Sequence, residues 1–472
     1  MKSGPKLAAN ELYALAFGLF LGLCILKFGN PVILDQKIDP PSSLSEVWRF
    51  AWPTHWANWI FSPLAAVGLV LAVPLLGARQ PPHLRWLLIL PLLWLGWQML
   101  SATQTVDGDL TDTALWQFCG CVACYFIGLF LFKNPRALQF LLVGVLAGFT
   151  VCLIRATDQH FEFPRTQKLL LEGQSTGWTN FPPEAIQEMR HDQTLITTNG
   201  VDIVNPAIAA RFSKNRVMGT LVYPNALAGI VLLLFPVSLV LAFNSTKTLR
   251  PLVRGATIIM TLALGLAAFF WSGSKLGWLL AMASGGLCLL RFNWPVKLKI
   301  TAILIVAALG LGIFAVRFHS YFAHGATSAT ARLDYWRAAV QTTCSHPLFG
   351  TGPGTFQRPY ARLKSPDAEM ARLTHNDYLE QFSDSGIPGG IFYLMWVITV
   401  LVIVGKNIWK TDNPILFAIF LGVLAWLVQG LGEFGLYIPA LAWTAFLLLG
   451  CLLAQKTNPF DKKSSPAKIP AR

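Results

Sequence analysis

The best candidate for chemistry in this chain is His375, which is followed by Asn376 and, after nine residues, by Gly386-Ile387-Pro388-Gly389. Histidine is the side chain whose ordinary pKa best suits a general base near neutral pH. A helical interpretation puts His375, Tyr378 and Phe382 on one face, where aromatic neighbours would anchor the imidazole. The Gly/Pro break lets the chain turn after this stretch. We therefore predict a base at His375.

Three other patterns suggest chemistry but have simpler explanations. Asp377 and Glu380 could form a carboxylate pair as in glycosidases, yet on one helical turn they need not flank a substrate. The glycines between Gly350 and Gly354 have no preceding strand and no following Gly-Lys-Ser/Thr, so they predict a plain turn rather than a phosphate-binding loop. The cysteines at 119, 121 and 124 lack an accompanying His or carboxylate cluster, and we expect no metal site there.

The elements that position these residues are membrane helices. The chain has 472 residues, 54% hydrophobic and only 13% charged, whereas soluble domains carry about a quarter charged residues. A spanning helix needs about 20 mostly apolar residues, because its backbone must be satisfied internally. The sequence predicts an all-α polytopic membrane protein of about twelve spans, near 11 to 28, 59 to 77, 84 to 100, 113 to 132, 136 to 155, 218 to 243, 253 to 271, 275 to 291, 298 to 318, 386 to 405, 413 to 432 and 435 to 455.

The distribution of charge predicts the orientation of these spans. Loops on the side of the amino terminus are rich in Lys and Arg, whereas residues 101 to 112 carry three Asp and no Lys or Arg, and the last hairpin on that opposite side carries only Glu433. The positive-inside rule therefore predicts that both termini are cytoplasmic. The net charge of +14 then has an explanation in the cytoplasmic loops and basic tail near anionic lipid, and it does not indicate nucleic acid.

Two segments on the predicted outer side are long, 156 to 217 and 319 to 385, and are rich in charged and aromatic residues. Long loops in compact proteins are functional or disordered, and this composition favours an ordered site. The chain divides into an amino-terminal membrane region (1 to 217), a membrane core with the second loop (218 to 455) and a basic cytoplasmic tail (456 to 472). Lys275, in a short outer hairpin, runs against the charge rule and therefore suggests a function.

Four blocks together resemble the bacterial O-antigen ligase family, which includes related O-antigen polymerases and protein glycosyltransferases. The resemblance covers about residues 210 to 405. The first 200 residues match the family only in their pattern of hydropathy. The His-Asn, nine residues, Gly-x-x-Gly pattern is complete. The other blocks are Arg216-Val217-Met218-Gly219-Thr220-Leu221-Val222-Tyr223-Pro224-Asn225, Ser272-Gly273-Ser274-Lys275, and Arg332-Leu333-Asp334-Tyr335-Trp336 followed by His346-Pro347-Leu348-Phe349-Gly350-Thr351-Gly352-Pro353-Gly354.

The resemblance implies transfer of a glycan from a polyprenyl (undecaprenyl) diphosphate carrier to an acceptor hydroxyl, with inversion and without a metal or cofactor. His375 would be the catalytic base. Arg216, Lys275 and Arg332 would bind the diphosphate, because preorganised cations stabilise its developing charge in a partly dry site. We expect three further residues of these blocks to support the site: Asn376, Tyr378 and Asn225.

Two features limit these assignments. The family usually has Arg where this chain has Lys275, which keeps the charge but loses the planar fork that grips two phosphate oxygens. Arg216 and Arg332 could instead pair with loop carboxylates such as Asp202 and Asp334, or extend to the membrane interface.

The expected location is the inner membrane of a bacterium, and the expected partners are membrane lipid, the lipid-linked donor and an acceptor. The acceptor is lipid A core for an O-antigen ligase, a growing glycan for a polymerase, or a protein side chain for an O-glycosyltransferase. The alternative from another class is a transporter or flippase of lipid-linked glycans, which predicts paired charges at mid-membrane or inverted repeats. Neither is evident in the sequence.

Overall fold

The structure is a computed structural model that describes residues 8–76, 82–198, 200–323 and 327–456. Apart from Lys456, with which the last helix ends, the predicted basic tail lies outside the described residues. The described chain is predominantly helical, with one short β-hairpin, which confirms the predicted all-α class. Its helices are α1 (Ala9–Lys27), α2 (Leu44–Arg49), α3 (Thr54–Leu76), α4 (Pro82–Ala102), α5 (Gly108–Leu131), α6 (Pro135–Ser175), α7 (Pro183–His191), α8 (Pro206–Ser213), α9 (Pro224–Ser245), α10 (Pro251–Ser272), α11 (Lys275–Arg291), α12 (Val296–Ala323), α13 (Thr327–Ser345), α14 (Gln357–Leu363), α15 (Asp377–Ile408), α16 (Pro414–Gln429) and α17 (Pro439–Lys456). A hairpin of β1 (Leu195–Thr198) and β2 (Val201–Val204) pairs antiparallel, with Leu195 opposite Val204.

The membrane region agrees with the predicted spans. Within the described ranges, 8 helices are long and apolar enough to cross a membrane, and three shorter apolar helices accompany them in α4, α16 and α17. Each of the twelve predicted segments coincides with a helix, and the one not counted among these eleven is α11, with 17 residues. The chain is therefore a multi-pass membrane protein.

Small residues bring the central helices together. Gly18 and Gly22 of α1 face Gly144 and Gly148 of α6, and a Cβ at any of these positions would collide with the opposite backbone. In lipid, where apolar side chains gain little from leaving their surroundings, close backbone approach of this kind is a main source of helix association. α17 packs along α5 in a similar way, with Gly128 against its backbone.

The first long segment is more helical than its sequence predicts. α6 continues through Pro164 to Ser175, for 41 residues in total, well past the predicted end of the span at 155. The apolar run stops there, but the following residues are mostly good helix formers such as Arg, Gln, Leu and Glu, so the helix continues into a polar environment. Beyond it, α7, the hairpin and α8 close over a small core: Leu170, Trp178, Leu195 and Val204.

The second long segment holds the start of α15 in place. Its glycine-rich stretch forms a turn, as predicted, in which Gly352 N donates to Asp384 O at 2.8 Å and Gly354 N donates to Asp384 Oδ2 at 2.7 Å. Gly386 interrupts α15 with φ 70°, ψ −176°, and a Cβ there would collide with Leu348 O. Only glycine accepts this backbone without strain. The turn and the kink therefore lock the segment to the membrane helix that follows His375.

Candidate functional site

His375 lies just outside α15 in an uncommon backbone conformation. Its φ is 53°, and the helix begins at Asp377. The predicted helical face that includes His375 is therefore wrong. Asn376 caps the helix instead, its Oδ1 accepting from Tyr378 N at 3.1 Å and Leu379 N at 3.0 Å. Non-glycine residues with positive φ are uncommon and concentrate at functional sites.

The two supporting residues next to His375 fix this geometry against α16. Asn376 Nδ2 donates to Leu431 O at 3.0 Å, and the Tyr378 hydroxyl donates to Leu427 O at 2.7 Å. Both bonds reach the end of α16 and the chain directly after it. They position the histidine rather than touch its ring.

The imidazole of His375 is held between two aromatic rings. Tyr335 of α13 stacks on it at a centroid distance of 5.9 Å with the ring planes 27° apart, and Phe434 meets it edge-on at 4.7 Å. The side chain keeps 28% of its surface exposed, and its Nδ1 lies 3.4 Å from Glu433 Oε2. The ring is thus packed on both sides while part of it still faces solvent.

Glu433, between α16 and α17, is the centre of the site. Its Oε1 accepts from Arg332 at 2.6 Å and from Asn225 Nδ2 at 2.7 Å. Its Oε2 accepts from the Tyr223 hydroxyl at 2.9 Å and faces His375. A buried carboxylate is costly unless charged and hydrogen-bonded partners compensate it, and here three hydrogen-bond donors do so, one of them charged, with the His375 imidazole beside them.

The ionisation of Glu433 follows from these partners. Burial alone would raise its pKa, but the neighbouring His375, the charge of Arg332 and the hydroxyl of Tyr223 together bring the pKa below its usual value. The carboxylate is therefore charged at neutral pH. Conversely, burial and the nearby Glu433 hold the pKa of Tyr223 well above its usual value, so this hydroxyl remains a donor.

Arg216 joins the network through Asn225. Its Nη2 donates to Asn225 Oδ1 at 2.9 Å and its Nε donates to Ser272 O at 2.8 Å, so Asn225 bridges Arg216 and Glu433. Burial, opposed by Glu433 and reinforced by Arg332, lowers the pKa of Arg216 from its high ordinary value. Neutral oxygen atoms therefore accept the hydrogen bonds of the guanidinium, and the charged side chains of Glu433 and Arg332 lie near it.

The alternative pairings for the two arginines are wrong. Asp202 binds Arg190 instead, with Nε at 3.1 Å from Oδ1. Asp334 accepts from the Tyr360 hydroxyl at 3.0 Å. Arg332 does pair with a carboxylate, but with Glu433 from a distant part of the chain.

Lys275 begins α11, immediately after the sharp turn at Gly273. Its Nζ lies 3.8 Å from the ring centre of Tyr321 and 5.3 Å from that of Phe318, both near the end of α12. Among the described residues, the charges that act on Lys275 most strongly are all positive: Arg216, Arg332, Lys214 and Arg317. The ammonium is thus positioned by aromatic faces beside other cations, an arrangement that favours binding of an anion.

The carboxylates next to His375 in sequence do not form a catalytic pair. Asp377 is 3% exposed and accepts from Leu436 N at 3.1 Å, and Glu380 is fully buried and accepts from Thr374 N at 2.9 Å. Both stabilise the backbone around His375. Within the part of the chain that the structure describes, no group of three or more His, Cys, Asp or Glu could hold a metal ion.

The structure therefore gathers Arg216, Arg332, His375 and Asn225 around Glu433, with Lys275 alongside. In the sequence, Glu433 stands out only as the single acidic residue of the last predicted outer hairpin, and no motif assigns it a role. Its position could have predicted the ion pair, because a lone carboxylate on the same side of the membrane as several cations without a predicted partner is expected to pair with one of them.

Comparison with known families agrees with this geometry. Residues 260–394 match the family model described as O-antigen ligase. This stretch therefore resembles an O-antigen ligase domain. The match confirms the family that the motifs predict, and it contains Lys275, Arg332 and His375, whereas Arg216 and Glu433 lie outside the matched stretch. The comparison with curated proteins found no match. The chain is thus a multi-pass membrane protein in which residues 260–394 are similar to the O-antigen ligase family.

Proposed function

We propose that this ligase-type enzyme transfers a glycan from a polyprenyl diphosphate to an acceptor hydroxyl on the outer side of a bacterial inner membrane. The observation that carries the proposal is a cluster of cations with one carboxylate: Arg332 and the partly exposed His375 lie against Glu433, Arg216 is linked to it through Asn225, and Lys275 lies beside the two arginines. The positive charges outnumber the single carboxylate, and a diphosphate would balance the excess. We assign this transfer to the biosynthesis of lipopolysaccharide or of another surface polysaccharide.

In the proposed reaction, Glu433 holds the tautomer of His375 in which Nδ1 carries the proton. Nε2 then has a free lone pair and takes the proton of the acceptor hydroxyl as its oxygen attacks the anomeric carbon. The new C–O bond forms while the bond from that carbon to the diphosphate oxygen breaks, with inversion. The departing diphosphate takes the electron pair, and Arg216, Lys275 and Arg332 stabilise its charge.

The remaining parts of the chain have supporting roles in this proposal. The spans contact the polyprenyl tail and membrane lipid, and the segments 156–217 and 319–385 form the outer cover of the site. The region 1–217 acts mainly as scaffold and contributes Arg216 near its end, 218–455 carries the other residues of the reaction, and 456–472 is a cytoplasmic tail. Fluorescent protein fused to the carboxyl terminus should fold and fluoresce in the cytoplasm; fluorescence lost there but restored by a periplasm-competent fusion would contradict this orientation.

The test of the reaction uses purified full-length protein in detergent with an undecaprenyl-diphosphate glycan and candidate acceptors. His375→Ala should retain its thermal unfolding temperature and lose at least about a hundredfold in turnover, the range typical of a general base. His191→Ala is the matched control, because His191 has a side chain that is 84% exposed and is far from Glu433 in the hydrogen-bond network. Wild-type turnover by the folded His375→Ala protein would exclude His375 as the base.

The acceptor distinguishes the members of the proposed class. Mass spectrometry of the product separates a glycan on lipid A core from a lengthened carrier-linked glycan and from a glycosylated protein, which correspond to a ligase, a polymerase and a protein O-glycosyltransferase. A transporter would move the lipid-linked glycan across vesicles and leave its diphosphate bond intact. Unchanged donor in every assay, with translocation observed, would favour that class instead.

A further inference from the structure

A groove open to the membrane runs between α3 and α5, away from Glu433. It has a volume of about 570 Å³ and apolar walls. Small residues of α3 such as Ala65, Ala66 and Gly68 form one side, and Leu88 and Leu92 of α4 together with Phe126 of α5 form the rest. Ala66 and Leu69 are exposed at its opening. A crevice of this width and polarity suits an acyl chain.

A second cavity, of about 210 Å³, lies further along the same pair of helices, about one turn away on α3 and two turns away on α5. Asn58 and Ser62 of α3 and Asp112 and Trp116 of α5 line it. On α3, Ser62 precedes Ala65 by three residues, which is about 4.5 Å along a helix axis. The two cavities therefore lie one after the other along α3 and α5, the smaller one lined by polar groups and the larger one by apolar groups.

The polar cavity lies at the end of the bundle that carries His375. Asp107, just before α5, pairs with Arg358 of the long segment. Ile33, which precedes Asp35 of the same cavity, and Ala114 of α5 both lie against Gly354. A lipid in this groove would therefore occupy the leaflet on the side of the candidate site.

The charge of this cavity is opposite to that of the chain. Its only ionisable lining residues are Asp35, His55 and Asp112, in a chain of net charge +14. Asp35 is 9% exposed; its Oδ2 lies 2.8 Å from His55 Nδ1, and Oδ1 accepts from the Thr54 hydroxyl at 2.6 Å. Asp112 is exposed. An anion such as a diphosphate is disfavoured here, and a cation is favoured.

Aromatic rings border the same cavity. Trp59 is 67% exposed, and its ring lies 5.0 Å from that of His55 and 6.4 Å from that of Trp56. Trp116 from α5 is 52% exposed. A cation near such faces gains a cation–π attraction in addition to its interaction with a carboxylate.

We propose that the α3–α5 groove binds one phospholipid with a primary ammonium head group, of the phosphatidylethanolamine type. The ammonium donates to Asp112 and lies against the Trp59 and Trp116 rings, while one acyl chain fills the groove beside Ala66. A primary ammonium is favoured over a quaternary one, because only the former donates hydrogen bonds to a carboxylate. This site is independent of the proposed glycan transfer.

The test measures which lipid stays bound to the full chain. The protein is reconstituted in vesicles of equal parts phosphatidylethanolamine, phosphatidylglycerol and phosphatidylcholine, extracted in mild detergent and examined by native mass spectrometry. The wild type should retain one phosphatidylethanolamine, enriched about tenfold over each other lipid, as expected for one charge-assisted hydrogen bond. Equal retention of all three lipids would overturn the proposal, and so would preferential retention of phosphatidylglycerol or phosphatidylcholine.

Two variants and a control make the test specific. Asp112→Asn removes the exposed charge and Ala66→Phe fills the groove; each should abolish the enrichment. Val67→Phe adds the same ring to a 51% exposed position of α3 that does not line the groove, and it should retain the lipid. Enrichment that survives in Asp112→Asn, or that is lost equally in Val67→Phe, would contradict the assignment. Asp112 lies at the surface, so this variant remains informative even if Ala66→Phe does not fold.

Discussion

An amino group of Arg332 lies 2.6 Å from Oε1 of Glu433, and this ion pair joins two segments that are 101 residues apart in the chain. The glutamate side chain is 4% exposed and the arginine side chain 21%. Such a pair is costly to form and still more costly to break on one side, because the remaining charge stays buried. The pair therefore has separable effects on stability and on activity.

Arg332→Met should destabilise the protein by about 3 kcal/mol, the lower part of the range for a buried charge left unpaired. The double variant Arg332→Met/Glu433→Gln should recover most of this loss, because the buried carboxylate that lost its partner is then neutral as well. Turnover should be low in both the single and the double variant, since both lack the Arg332 cation that would bind the diphosphate. Denaturant unfolding in detergent and the transfer assay give the two readouts. Additive destabilisation in the double variant would contradict the coupling.

Glu433→Gln alone tests whether the carboxylate positions His375. The amide keeps the size of the side chain but removes the charge that faces Nδ1, so we expect turnover to fall about a hundredfold while KM for the donor changes less. Glu172→Gln is the control, because Glu172 is exposed on the distant part of α6. A loss confined to KM would assign Glu433 to donor binding instead.

The stability of the site should decrease in acid. The pKa of Glu433 is lower in the folded protein than the ordinary value of about 4.3 in an unfolded chain. Its contribution is therefore fully present above pH 4.3 and is lost as the pH falls through the lower folded value. Thermal unfolding between pH 7 and pH 3 should show a steeper decline for the wild type than for Glu433→Gln. Parallel declines would mean that other carboxylates dominate.

Lys275→Arg tests the departure from the family pattern. Arginine stacks on aromatic faces at least as well as lysine, so Tyr321 and Phe318 should hold it, and turnover should stay within about threefold of the wild type. Lys275→Met should lower kcat/KM about a hundredfold, as loss of one stabilising group at a developing charge does. Lys410→Met, in a predicted cytoplasmic loop, is the control. Full activity of Lys275→Met would remove this residue from the site.

Gly273→Ala tests the turn that positions Arg216. Gly273 has φ 59°, and a Cβ there would lie 3.2 Å from Arg216 Nε. The backbone strain should cost about 1 kcal/mol, and displacement of the guanidinium should reduce turnover further. Gly285→Ala, where no atom lies within 4 Å of the added Cβ, is the matched control in α11. Equal effects of both changes would rule out a special role for the turn.

Hydropathy and residue type, which are local properties, determined much of this protein. An apolar run of about 20 residues forms a helix in lipid wherever it occurs, so all twelve segments could be placed from the sequence. The Gly/Pro punctuation likewise predicts the break after His375, and charged residues in a membrane protein are few enough that Arg216, Lys275 and Arg332 stand out.

Only the tertiary structure decided how these residues meet. Glu433 reaches Asn225 across 208 residues and Arg332 across 101, and no local pattern specifies such contacts. The left-handed backbone of His375 is likewise imposed from outside, by the bonds from Asn376 and Tyr378 to the end of α16. Hydropathy reports which segments leave water, but the packing of those segments against one another decides which polar side chains share a buried charge.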